Sequence, residues 1–138
     1  MCSSDLVLPS FERLGKTLGD VLANAITLLD CNVVIGGGLS NAYPIFAPSM
    51  MAQLNGKIST YNGQNINRLE VKAFNLESYE DSNAFYKNNP KMVKVPNVNL
   101  QVPYCWQKNV AIGRTRLGTS QAIAIGAYAF ALRAIGKS

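Results

Sequence analysis

Residues 36–38 are three consecutive glycines set between the β-branched run Val33-Val-Ile35 and the helix-starting residues Ser40 and Asn41. Lacking Cβ atoms, such a stretch lets the backbone approach a flat ligand closely and reach φ > 0 conformations that other residues disfavour. Amides at the start of the following helix would favour an anion or a polar ligand edge nearby. The segment Asn32-Val-Val-Ile-Gly-Gly-Gly-Leu-Ser-Asn41 describes a tight strand-to-helix turn without a ligand equally well.

Other chemistry is sparse. The chain has no histidine, which removes His-based triads, His metal sites and the commonest general base. Cys2, Cys31 and Cys105 are far apart and never form a Cys-x-x-Cys pair, which speaks against a disulfide framework or a zinc site and fits a reducing cytosol. Cys31 reads as an inert small hydrophobe, and Trp106 as a buried anchor. The carboxylates are scattered, and Glu77, Glu80 and Asp81 read as solvated loop charges. Gly36-Gly-Gly38 could open a Gly-x-Gly-x-x-Gly fingerprint, but the sixth position is Asn41, and no Gly-Lys-Ser/Thr phosphate loop occurs. No catalytic residue and no metal ligand is assigned.

Thirteen basic against eight acidic residues give a net charge of +5, dispersed without a basic stripe. That pattern gives nucleic-acid binding little support and suits an anionic ligand such as a nucleotide as well as it suits solubility. The N-terminus lacks the pattern of a signal peptide, and the apolar run 122–132 is too short to span a bilayer. A cytoplasmic protein without membrane partners is expected.

The elements that must position the glycines follow from periodicity. Phe11, Leu14, Leu18, Val21, Leu22, Ala25, Ile26 and Leu29 predict an amphipathic helix over 11–29, with Ser10 as N-cap after Pro9. Gly15 and Gly19 align with Ala23 at i, i+4 spacing and predict a neighbour packed close to the helix backbone. Val33 to Ile35 predict a strand buried on both faces, of the kind helices cover in a parallel or mixed sheet. Ser40 or Asn41 is expected to cap a helix that accommodates Pro44, kinks or restarts at Pro48, buries Met50, Met51 and Leu54, and ends at Asn55-Gly56.

Residues 59–68 read as a polar loop and 69–74 as a half-buried strand. A short helix is expected near 78–86, and a hairpin from strands 91–95 and 98–102. Residues 117–132, capped by Thr119 or Ser120, form a helix that is apolar or small around its circumference. It is expected to be core, buried on most sides, with Ala122 and Gly126 on a face of close approach and Arg133 and Lys137 at its negative end. At 138 residues and 48% hydrophobic, one α/β domain is expected.

The strand-glycines-helix unit, coupled to Leu117-Gly-Thr-Ser-Gln-Ala-Ile-Ala-Ile-Gly-Ala-Tyr-Ala-Phe-Ala-Leu132 at this separation, resembles the C-terminal part of the ROK family of sugar kinases and repressors. The resemblance runs over nearly all of 6–135, and the excursion at about 75–108 is similar to an insertion in glucokinase-like members of Bacteroidetes type. It implies part of the actin-like ATPase, ribonuclease-H-like fold, a mixed sheet flanked by helices, with residues 1–138 as one C-terminal segment of the large domain. It also implies that Gly36, Gly37 and Gly38 line the adenine and ribose of ATP, with Ser40 and Asn41 as further candidates.

The family's Asp-x-Gly-Gly-Thr phosphate loop, its catalytic Asp and its Cys-rich zinc motif lie upstream of the matching portion and are absent here. Phosphoryl transfer needs phosphate positioning, a metal ion and a group to orient the attacking hydroxyl. The expectation is therefore the adenosine-binding part of an ATP-dependent hexose kinase, inactive alone, with Mg2+ and the sugar engaged only in the complete protein. Two alternatives stand beside it. One is the sensor domain of a sugar-responsive repressor; the other is a non-catalytic fragment that self-associates, for example as a homodimer, through the surface its missing part would cover.

Overall fold

The computed structural model describes residues 4–87, 90–105 and 107–136, with only the backbone given for 4–6 and 119. Cys2, Trp106 and Lys137 lie outside the described residues. Helix α1 (Ser4–Leu29) leads to strand β1 (Val33–Ile35), a 3-10 turn (Gly38–Ala42) and helix α2 (Tyr43–Leu54). Strands β2 (Lys57–Ser59), β3 (Asn65–Asn67) and β4 (Lys72–Asn75) follow, then helix α3 (Tyr79–Tyr86), strands β5 (Lys91–Lys94), β6 (Gln101–Tyr104) and β7 (Asn109–Arg114), and helix α4 (Thr119–Ile135).

Three strands form a parallel sheet in the order β1-β7-β4. The expected mixed sheet is thus parallel among the described residues, and the antiparallel pairs β2-β3 and β5-β6 are separate hairpins. Register places Val33, Ile35, Ile112, Val110 and Ala73 on one face, since residues paired across a ladder point to the same side. That face packs with Ala23 and Ile26 of α1 and with Tyr43, Phe46, Ala47, Met50 and Leu54 of α2 in a single buried cluster. On the other face Phe74 stacks edge-on against Phe85 of α3 at 5.8 Å between ring centroids, while Val34 is 71% exposed. Among the described residues, strand β1 is therefore covered on one face only and stands at the sheet edge, which corrects the two-faced burial expected of it.

The close neighbour predicted for Gly15 and Gly19 is α2. A Cβ at Gly15 would overlap the carbonyl oxygen of Phe46, and one at Gly19 would stand 2.7 Å from Gln53 Cβ and 2.9 Å from the Met50 oxygen. Helix α1 begins earlier than expected: Pro9 lies inside it, and Ser10 is a helical residue instead of its N-cap. Val21 and Leu29, expected on the buried face, are exposed. Helix α2 has Pro44 in its first turn and runs through Pro48 without restarting. An interior proline costs about 3 kcal/mol, and the burial of Phe46, Ala47, Met50 and Leu54 around it outweighs that loss.

One stretch read as a loop, and one given no element, are strands. The 59–68 segment holds most of a hairpin, paired Ile58 to Ile66 and closed by Thr60 N–H to the Gln64 oxygen at 2.8 Å. Its polar residues on both faces erase the alternation that marks a half-buried strand. β7, the centre of the sheet, was not anticipated, because its Val110-Ala-Ile112 run is short and ends in Gly113. Helix α3 and the β5-β6 hairpin match expectation, with Ser78 capping α3 through Asp81 N–H and the second hairpin strand displaced to 101–104.

The largest departure is α4, which was expected to be core. Ile123, Ile125, Tyr128, Phe130, Leu132 and Ile135 are between 52% and 77% exposed. A Cβ at Gly126 would meet nothing within 4 Å, so its face of close approach has no neighbour among the described residues. Its N-cap is Gly118, with no side-chain cap, in place of Thr119 or Ser120, while Arg133 lies in the last turn as expected. Cys31, expected among apolar residues, is exposed. Among the described residues no helix is long and apolar enough to cross a membrane.

These packing differences give opposite signs to one substitution. Gly15→Ala gains about 1 kcal/mol of helix propensity but incurs an overpacking cost of roughly 1–3 kcal/mol against Phe46, so its thermal midpoint should fall. Gly126→Ala, with open space around it, should raise the midpoint or leave it unchanged. A stabilised Gly15→Ala would show that the two helices can separate without loss.

Candidate functional site

All three parallel strands end at one edge of the sheet, at Ile35, Arg114 and Asn75. In open α/β sheets ligands bind outside the carboxyl ends of the strands, and the glycines lie there. Gly36 follows β1 directly, and a Cβ on it would touch Thr115 Cγ2 at 3.4 Å. Gly37 has φ 88° and ψ −171°, a conformation essentially restricted to glycine. Cβ atoms at Gly37 and Gly38 would meet nothing within 4 Å, so the turn presents bare backbone to open space.

Ser40 and Asn41 do not play the capping role expected of them. The 3-10 turn intervenes, and the residue preceding α2 is Ala42, with no side-chain cap. Ser40 is 8% exposed, its Oγ donates to the Gly37 oxygen at 2.7 Å, and its amide donates to the same oxygen at 3.1 Å. It shapes the glycine turn from beneath. Asn41 is exposed on the turn. The structure therefore gathers Gly36, Gly37, Gly38, Ser40 and Asn41 into one turn, with the glycines and Asn41 on its surface.

Behind the turn lies a polar cluster that sequence reasoning missed. Tyr43, the first residue of α2, is 2% exposed, and its Oη donates to Asn75 Oδ1 at 2.8 Å. Asn75 Oδ1 also accepts the Glu77 amide at 3.1 Å, and the Asn75 amide donates to Asp81 Oδ2 at 3.1 Å. Glu77 Oε1 accepts the Arg114 amide at 3.4 Å, and the guanidinium groups of Arg114 and Arg116 each come within 3.7 Å of the Glu77 carboxylate. Glu77, 20% exposed in its side chain, is thus a shared anchor for two arginines, which corrects its reading as a solvated loop charge. Asp81 is likewise engaged, while Glu80 is exposed. The usable signal was positional: Asn75-Leu-Glu77 and Arg114-Thr-Arg116 each follow an apolar strand run, where a parallel sheet places its site residues.

Burial, reinforced by the carboxylates of Glu77 and Asp81 and opposed by Arg114, pushes the Tyr43 phenol up to about 12. It remains a hydrogen-bond donor throughout the neutral range. At the opposite, amino-terminal edge, a half-open cleft of about 680 Å3 is bounded by Asn55, Leu69, Glu70, Lys72 and Lys108. Its polar groups do not converge: Lys108 is drawn to Asp30 at 2.5 Å, and Asn55 is spent on the backbone of Ala73. Among the described residues, no group of three His, Cys, Asp or Glu side chains could hold a metal ion.

No family model and no curated protein matches the chain. Among solved structures, the chain is similar to a glucokinase from Parabacteroides distasonis, with 32% identity over 96% of its length and a TM-score of 0.78. It spans about a third of that protein, covering 35% of its chain.

The Tyr43 shift has a consequence at high pH. A phenol whose pKa is 10.0 when unfolded and about 12 when folded favours the protonated, folded state below pH 10 and loses that contribution as pH rises through 12. Alkaline unfolding followed by circular dichroism should accordingly show a loss of stability between about pH 10 and 12 that is smaller in Tyr43→Phe. An identical pH dependence in the two proteins would contradict this placement of the phenol.

Proposed function

We propose that this chain supplies the adenosine-binding, C-terminal part of a ROK-family, ATP-dependent hexose kinase with an actin-like fold, acting in the cytoplasm. The observation that carries the reading is the bare glycine turn at the carboxyl edge of a parallel sheet, in a chain similar along nearly its whole length to a glucokinase. The fit to adenosine rests on space: at Gly37 and Gly38 a flat ligand could lie against the backbone where any Cβ would intrude. Gly37 also holds a dihedral that side chains resist, and the Ser40 hydroxyl fastens the turn below the surface a base and ribose would occupy.

The bound nucleotide would supply the phosphoryl group. In a complete kinase that group passes to a sugar hydroxyl, with Mg2+ accompanying the phosphates. This chain's share is confined to holding the adenosine end, so sugar phosphorylation is expected only when the phosphate loop and catalytic carboxylate are provided. The glucose-type substrate comes from the similarity to a glucokinase.

Gly38 offers a cleaner probe than Gly37, because a side chain at Gly37 would be strained whatever the space around it. Gly38→Val should keep the thermal midpoint near that of the parent and weaken binding of a fluorescent ADP analogue by tenfold or more, on the order of 1.4 kcal/mol. Equal affinity in the two proteins would remove the glycine turn as the nucleotide site.

The exposure of α4 favours a second reading alongside the first, in which the isolated chain self-associates. Light scattering coupled to size-exclusion chromatography should give a mass above 15.0 kDa that falls on dilution. A monomer at every concentration would dispose of that reading.

A further inference from the structure

The glycine turn is closed by bonds that shape it without locating it. The last ladder bond of the β1 edge runs from Thr115 N–H to the Ile35 oxygen at 2.9 Å. Beyond it, the Ser40 amide and Oγ both return to the Gly37 oxygen, inside the turn itself. Among the described residues, a Cβ at Gly37 or Gly38 would meet nothing within 4 Å. Where the turn ends, at Tyr43, the chain becomes fixed: the Tyr43 ring meets Phe46 edge-on at 5.5 Å, and its hydroxyl reaches Asn75 at the end of β4. Strand β4 is separated from β1 by β7, so this bond ties the start of α2, where the turn that leaves β1 ends, to the carboxyl end of β4. Asn75 in turn is held by the Glu77 and Asp81 contacts, and Glu77 by Arg114 at the end of β7.

We propose that Tyr43 and Asn75 form a strut that sets the position of the glycine turn, and that nucleotide affinity depends on this strut through the backbone of residues 38–42. The proposal rests on the adenosine reading for its effect on affinity, and on the geometry alone for its effect on the turn. Tyr43 and Asn75 are positioning residues. Removing the hydroxyl leaves the ring in the core and leaves Asn75 Oδ1 still accepting the Glu77 amide, so the buried acceptor is not orphaned and the sheet keeps its ladders.

The test compares the full chain with Tyr43→Phe, Asn75→Ala and the double variant, reading amide hydrogen exchange and affinity for a fluorescent ADP analogue. Tyr43→Phe should speed exchange at residues 38–42, the Ser40 amide above all, while the β7 amides exchange as before. Affinity should fall by up to about tenfold, the limit reached if the full stability contribution of this hydrogen bond holds the turn in its binding position. The double variant should bind no more weakly than Asn75→Ala, because one bond cannot be broken twice.

A purely structural role for Tyr43 would instead raise exchange across α2 and β7 together, and that result overturns the proposal. Unchanged exchange at 38–42 overturns it too, as does unchanged affinity where the parent chain binds. If the parent itself binds no nucleotide, the adenosine reading has failed, and local exchange alone then decides the strut.

Discussion

The contact on which the rest depends is the glycine face of α1 against α2. With Gly15 and Gly19 directly beneath the Phe46 and Met50 carbonyls, the two helix backbones lie closer than side chains on α1 would permit. That spacing presses Ala23 and Ile26 of α1 together with Phe46, Ala47, Met50 and Leu54 of α2 onto one face of the sheet. It also explains how α2 keeps Pro48 and remains a single helix: tertiary packing, rather than propensity, holds most helices in proteins. Once α2 is fixed, its first residue Tyr43 is fixed, and with it the far end of the turn that carries the glycines.

A parallel sheet brings a polar problem to the same place. Its strands finish together, so backbone and side-chain polar groups accumulate where β1, β7 and β4 end, partly out of reach of water. The chain answers with mutual satisfaction. Asn75 serves Tyr43, Glu77 and Asp81, and Glu77 serves the Arg114 amide and two guanidinium groups. Such a network is rigid when complete and costly when broken. The glycine turn differs in kind, being conformationally constrained at Gly37 but unpacked at Gly37 and Gly38. A constrained, bare loop mounted on a satisfied polar base is an arrangement suited to a ligand that must be met by backbone.

What the sequence made legible was whatever a local period or a special residue encodes. The i, i+4 glycines of α1, the three glycines after β1, the short helix α3 and the hairpin turn at Pro96-Asn97 all announce themselves without reference to distant residues. What stayed hidden depends on partners far along the chain. β7 carries too short an apolar run to declare itself, yet it is central because β1 and β4 flank it, the first some 80 residues away in sequence by the register of Val33 with Ile112. Nothing local marks Tyr43, whose role exists only because Asn75, 32 residues on, meets its hydroxyl. The Ser40 hydroxyl was read as a cap because Ser commonly caps, but a 3-10 turn placed it beneath Gly37 instead.

Helix α4 shows where the rule itself has a limit. A helix apolar around its circumference belongs in an interior, yet Ile123, Ile125, Tyr128, Phe130, Leu132 and Ile135 face solvent here. Periodicity reports the environment a helix requires, and the described residues contain nothing that provides it on all sides. The exposed Val34 on the edge strand β1 makes the same demand of the sheet. Both demands mark apolar surface that the described residues leave uncovered. The core between α1, α2 and the sheet closes without that surface, and so the glycine turn can be held in place while α4 and the β1 edge remain unmet.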